Sequence, residues 1–119
     1  MKKENIIQEK SFAFAIRIVN LYKYICDEKK EYILSKQVLR SGTSIGANIE
    51  EGLGGQSDKD FISKLNIAYK ETRETIYWIK LLSKTDYLSQ EQTDSILSDA
   101  DELSKIIAKI LLTMKKKIN

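Results

Sequence analysis

Proline is absent from the 119 residues, and the five glycines all fall between Gly42 and Gly55. Most of the chain therefore holds neither of the residues that interrupt a helix, and the composition predicts an all-α fold. Histidine is absent as well. That removes the commonest general acid and base, the Ser-His nucleophile pair and every metal site that relies on imidazole, so neither an enzyme nor a cofactor is expected. Cys26 is the only cysteine; it has no intrachain disulfide partner and shares a helical stripe with apolar residues, where it reads as a small buried hydrophobe. No run approaches the roughly 18 unbroken apolar residues of a membrane span. Met1-Lys2-Lys3-Glu4-Asn5 has the basic opening of a secretion signal but no apolar run behind it, and these absences together lead us to expect a cytoplasmic protein with no membrane partner.

What is present suits one domain over residues 1–119, since hydrophobic residues make up 42% of the chain and can build a single core. The formal charge of +3 is unevenly spread. Residues 1–40 hold nine basic and five acidic side chains, residues 41–104 six and twelve, and residues 105–119 five and none. Both ends are basic and the middle is acidic.

Apolar residues recur at helical spacing at Phe12, Ala15, Ile16, Val19, Tyr22 and Cys26, and a second stripe runs through Phe14, Ile18, Leu21 and Ile25. Two stripes exceed what one surface helix of a monomer needs. We expect one to face the protein's own bundle and the other a neighbouring chain, which predicts a homo-oligomer. Asp27 to Glu31 marks a connection or a frayed helix end. A second helix carries Ile33, Leu34, Val38, Ser41, Ile45 and Ile49 in register through Gly42 and Gly46. We expect it to be continuous, with the two glycines one turn apart where another helix approaches closely; a break near Gly42 is the alternative. Gly52-Leu53-Gly54-Gly55 ends it, with glycine available for a left-handed cap.

Ser57 and Asp60 form a weaker version of a capping box at the start of a third helix, whose stripe is Phe61, Leu65, Ala68, Thr72, Thr75, Ile79 and Leu82. Ser89 with Gln92 caps a fourth, with a heptad seam of Ile96, Ala100, Leu103, Ile107, Ile110 and Met114. Short connections between long amphipathic helices predict an antiparallel up-down four-helix bundle. Both termini and the glycine-rich connection then share one end.

Three groups of polar residues are candidate sites. Arg40, Ser44, Asn48 and Glu51 lie on one side of the second helix, while Glu71 and Glu74 lie one turn apart on the third. They are expected to form a buried polar layer in which Arg40 or Lys36 neutralises a glutamate. A two-metal carboxylate site on Glu51, Glu71 and Glu74 is the weaker reading, because the di-metal pattern of bundles needs Glu-x-x-His on two helices. Lys2, Lys3, Lys115, Lys116 and Lys117 are expected to gather at the basic end, either as a solvated tail or as a phosphate-binding patch. Lys36 and Arg40 are next in line as nucleic-acid contacts. The acidic middle, including Asp99, Asp101 and Glu102, is expected to repel phosphates. Gly52-Leu53-Gly54-Gly55-Gln56-Ser57 follows no strand and completes no phosphate-loop pattern, so it reads as cap and connection.

The stretches from Lys10 to Lys23, from Ser35 to Gly52 and from Ala68 to Trp78 resemble the bacterial four-helix-bundle family encoded within intervening sequences of 23S ribosomal RNA genes. The run Ser35-Lys36-Gln37-Val38-Leu39-Arg40-Ser41-Gly42-Thr43-Ser44-Ile45-Gly46-Ala47-Asn48-Ile49-Glu50-Glu51 carries most of that resemblance. It implies a homopentameric ring of up-down bundles and a relationship to the accessory protein of diversity-generating retroelements, which binds nucleic acid and a protein partner. It implies no molecular activity. The residues and the resemblance together favour a non-catalytic oligomeric interaction protein that binds RNA, or RNA with a protein, through basic residues. The alternative is a structural assembly module with no nucleic-acid role.

Overall fold

Every helix start that the computed structural model describes after the first offers its free backbone N–H groups an acceptor. The structure describes residues 3–118, with side chains from 6 to 117. Four helices fill it: α1 (Lys3–Lys29), α2 (Leu34–Leu53), α3 (Asp58–Lys84) and α4 (Gln90–Ile118). Ser57 Oγ accepts from the Asp60 N–H at 3.1 Å, and Asp60 accepts from the Gln56 N–H. Ser89 and Gln92 make the reciprocal box, Gln92 N–H to Ser89 Oγ at 3.1 Å and Ser89 N–H to Gln92 Oε1 at 2.9 Å. The cap of α2 comes from outside the helix. Ile33 supplies no side-chain bond there; instead the Glu31 carboxylate accepts the N–H groups of Ile33, Leu34 and Ser35 at 2.8–3.0 Å. Burial pushes the Glu31 pKa up, but those backbone donors outweigh it and hold the carboxyl below its ordinary value.

Neighbouring helices run antiparallel, as long-range pairs show. Gln8 of α1 donates to Glu50 near the end of α2, while Cys26 near the end of α1 lies 3.7 Å from Ser35 at the start of α2. Lys64 reaches Glu51 between α3 and α2, and Lys117 reaches Asp58 between α4 and α3. The helices follow one another around the bundle, and α1 and α4 close it along the thinnest seam. The result is the expected all-α up-down bundle, 47 Å long.

Of the two stripes of α1, Phe14, Ile18 and Ile25 enter the core together with Ile7. They meet Val38, Ile45 and Ile49 of α2, the whole α3 stripe, and Ile96, Ala100, Leu103, Ile107 and Ile110 of α4. The buried polar members of these stripes satisfy themselves locally. Thr75 Oγ1 lies 2.7 Å from the Glu71 carbonyl and 2.9 Å from Ser41 Oγ, and Thr72 donates to the Ala68 carbonyl.

Asp27 to Lys29 of the polar run are the end of helix α1, and Lys30 and Glu31 begin the connection. Two expectations need correction. Ile33 is 76% exposed and belongs to the connection, not to the α2 stripe. Glycine provides no left-handed cap: none of the five has positive φ, and Gly54 at the end of α2 has φ −85°. Among the described residues the left-handed positions are Lys30 and Asp86, beyond the ends of α1 and α3. At the latter, Asp86 N–H bonds to the Ser83 carbonyl and Tyr87 N–H to the Leu82 carbonyl, the paired closure of a Schellman motif. Helix α2 does continue through Gly42 and Gly46.

Candidate functional site

Small residues shape a groove on the outer side of α1 and α2. Ala15 of α1 and Gly46 and Ala47 of α2 offer little side chain, leaving a mostly apolar hollow of about 290 Å³ edged by Phe12 and Thr43, with Gln8 and Glu50 at its polar rim. Phe12 is 68% exposed and Ile16, one turn further on, 50%. These two are the members of the second α1 stripe that its own bundle leaves uncovered; Ala15, Val19, Tyr22 and Cys26 are half-buried.

The expected polar layer divides in two. Arg40 reaches Glu71 at 3.5 Å and pairs closely with Glu74; Glu74 also accepts from Trp78 Nε1 at 2.9 Å. Glu51 stands apart, exposed and paired with Lys64 at 2.7 Å. Ser44 and Asn48 turn back onto their own helix, bonding the carbonyls of Arg40 and Ser44. The buried-layer expectation is thus corrected. Arg40 is about half exposed, so these residues form a surface ion-pair cluster, and the buried polar contact between α2 and α3 is Ser41 with Thr75. The three glutamates do not converge, so they do not make the two-metal site. Lys36 does not join them; it is exposed on the outer side of α2.

Lys115, Lys116 and Lys117 occupy the last turn of α4, all exposed. That position suits cations, because a helix end carries partial negative charge. Lys117 lies 3.3 Å from Asp58 of α3 and is partly neutralised. The start of α1 shares this end of the bundle, but Lys2 lies outside the described residues, as does the side chain of Lys3. Arg40, offered as a nucleic-acid contact, is already engaged by two carboxylates.

A family model of 23S rRNA-intervening sequence proteins matches residues 3–109. The chain belongs to that family. No curated protein matches this 23S rRNA-intervening sequence protein. It is similar to a solved structure of a protein with unknown function from the S23 ribosomal protein family of Bacteroides thetaiotaomicron VPI-5482. The two are 54% identical with a TM-score of 0.91, over 92% of this chain and 98% of that one.

The acids of α4 in this 23S rRNA-intervening sequence protein are less free than their sequence suggests. Asp99 pairs with Arg17 at 2.7 Å and Glu102 with Lys10 at 3.2 Å, both across the α1–α4 seam. Arg17 also donates to Ser95, its hydroxyl at 2.9 Å. Nearer the start of α4, Asn20, Tyr24 and Glu91 border an open groove of about 430 Å³. Cys26 is half-buried, less enclosed than the sequence suggested.

Proposed function

We propose that this 23S rRNA-intervening sequence protein is a non-catalytic interaction protein, located in the cytoplasm, that assembles with copies of itself and binds RNA through basic side chains. The observation that carries the assembly is the uncovered stripe of α1. Phe12 and Ile16 stand exposed beside an apolar groove that a second copy can fill. Large apolar side chains grouped in this way on a surface mark an interaction site more often than a chance distribution. The number of copies, five, rests on the family resemblance alone, and so does a further protein partner.

RNA is the favoured ligand because unpaired lysines release counterions from phosphates, a sequence-independent source of affinity. A ring of subunits repeats each basic group once per chain, and such repetition turns weak contacts into avidity. Crosslinking the protein in cells and sequencing the attached RNA tests the reading. Reproducible RNA recovery, together with affinity in vitro that falls steeply with salt, is the expected outcome. Absence of RNA both in cells and at low salt in vitro would leave an assembly module with no nucleic-acid role.

A further inference from the structure

The outward face of α3 carries cations and no acid. Reading along the side opposite the core, at alternating spacings of four and three, the residues are Lys59, Lys70, Arg73, Tyr77, Lys80 and Lys84, with the uncharged Ser63 and Asn66 completing the row. All but Asn66 are exposed. Among the described residues none of the five cations is in an ion pair. The same helix carries acids, but Glu71 and Glu74 face α2, where Arg40 holds them. Asp58, paired with Lys117, and Asp60, bonded to the Gln56 N–H, lie in the first turn, outside the stretch from Lys70 to Lys84. Charge is therefore sorted by face. An ordinary solvated face mixes signs at i and i+4 spacing, as the outer side of α4 does with Asp94, Asp101, Lys105 and Lys116.

The row runs about 38 Å at a rise of 1.5 Å per residue, most of the length of the bundle. Its denser half, Lys70 to Lys84, covers about 21 Å. Tyr77 stands in the middle of that half, 58% exposed. Its ring is braced edge-on against Trp78, with centroids 5.0 Å apart and planes at 73°. Trp78 is itself tied to Glu74. A line of cations along a rigid helix, interrupted by one fixed and accessible aromatic ring, is the arrangement that holds single-stranded nucleic acid: phosphates follow the charges and a base stacks on the ring. A membrane surface fits less well, since no apolar side chain in the row could enter the lipid.

We propose that the α3 row, Lys70, Arg73, Lys80 and Lys84 with Tyr77 between them, is the surface on which this protein binds single-stranded RNA. The proposal rests on the RNA-binding reading above and moves its main contact from the chain ends to the outer face of α3.

The test uses the full chain and a fluorescent single-stranded RNA of about 20 nucleotides, with binding followed by anisotropy from low to moderate salt. Changing Lys70, Arg73, Lys80 and Lys84 together to glutamine is expected to weaken binding at least tenfold. The slope of log affinity against log salt should fall by about 3, near 0.7 for each phosphate contact on a single strand. Tyr77→Ala alone should cost roughly tenfold with little change in slope. Changing Lys115, Lys116 and Lys117 to glutamine should cost less than the α3 changes. Circular dichroism and light scattering run in parallel, and particle mass and helicity are expected to stay constant. If the parent binds RNA and the α3 variant binds equally well, the proposal fails while RNA binding stands. If the parent binds no RNA at low salt, both fail together. Loss of binding with a fall in particle mass would assign the row to a contact between copies, and tighter binding to phosphatidylserine vesicles than to RNA would assign it to a membrane; either overturns the proposal.

Discussion

Gly42 of α2 faces Ile18 of α1 so closely that a Cβ built on the glycine would lie 2.7 Å from the isoleucine Cγ1. Ile18 is fully buried and the atom belongs to its branched base, so it has little room to yield. Gly46, one turn on, is different: its Cβ would meet the Ser11 backbone oxygen at 3.4 Å, an ordinary contact. Gly42→Ala should therefore destabilise the fold. Overpacking costs about 1–3 kcal/mol, and the gain in helix propensity offsets only about 1. Gly46→Ala should be neutral or stabilising by up to about 1 kcal/mol. Urea unfolding of the two variants checks this, and equal behaviour would mean that the helix contact does not centre on Gly42.

Glu31 caps α2 through three backbone donors. Removing a cap of this kind typically costs about 1 kcal/mol, and that loss is expected for Glu31→Ala at neutral pH. The carboxyl is held below its ordinary value in the folded state. Its contribution is therefore complete above the unfolded-state pKa, about 4.3, and fades as pH falls through the lower folded-state value. The stability gap between parent and variant should narrow below about pH 4. A gap that widens in acid would contradict the cap.

Arg40 neutralises Glu71 and Glu74, which lie one turn apart, and Glu71 is largely shielded from water. Arg40→Gln leaves two like charges facing each other and is expected to cost about 1 kcal/mol, above the usual value of an exposed pair. Adding Glu74→Gln should recover part of that loss. Thermal melts of the single and double variants read the coupling, and strict additivity would show that the cluster contributes nothing beyond separate exposed charges.

The bundle was legible because its stripes keep helical register over long distances. The α3 core stripe from Phe61 to Leu82 is buried throughout, Thr72 and Thr75 included, since a threonine hydroxyl can bond its own helix and take a core position. The two stripes of α1 were also visible, one in the core and one exposed at Phe12 and Ile16. The Glu31 cap was not, because an acid within a charged run reads as solvated until the chain turns its carboxylate onto the next helix. The left-handed residues were missed for a related reason: glycine was the natural candidate, whereas Gly52 and Gly55 admit close neighbours, Phe61 with Lys64 and Asp60 respectively. The basic face of α3 was hidden by summing charge along the chain. Residues 41–104 are acidic in total, but from Lys70 to Lys84 the cations of α3 and its acids Glu71 and Glu74, which Arg40 holds, occupy different sides, a distinction present in the helical spacing.

Particle mass in solution tests self-association through the outer stripe of α1 most directly. Light scattering at micromolar concentration should give several multiples of the 13.7 kDa chain, and five is the number that the family resemblance implies. Replacing Phe12 and Ile16 together by lysine should reduce the mass to that of one chain with unchanged helicity, because both side chains are exposed within a single bundle. A parent protein with the mass of one chain, or a double variant that assembles as the parent does, would contradict the account.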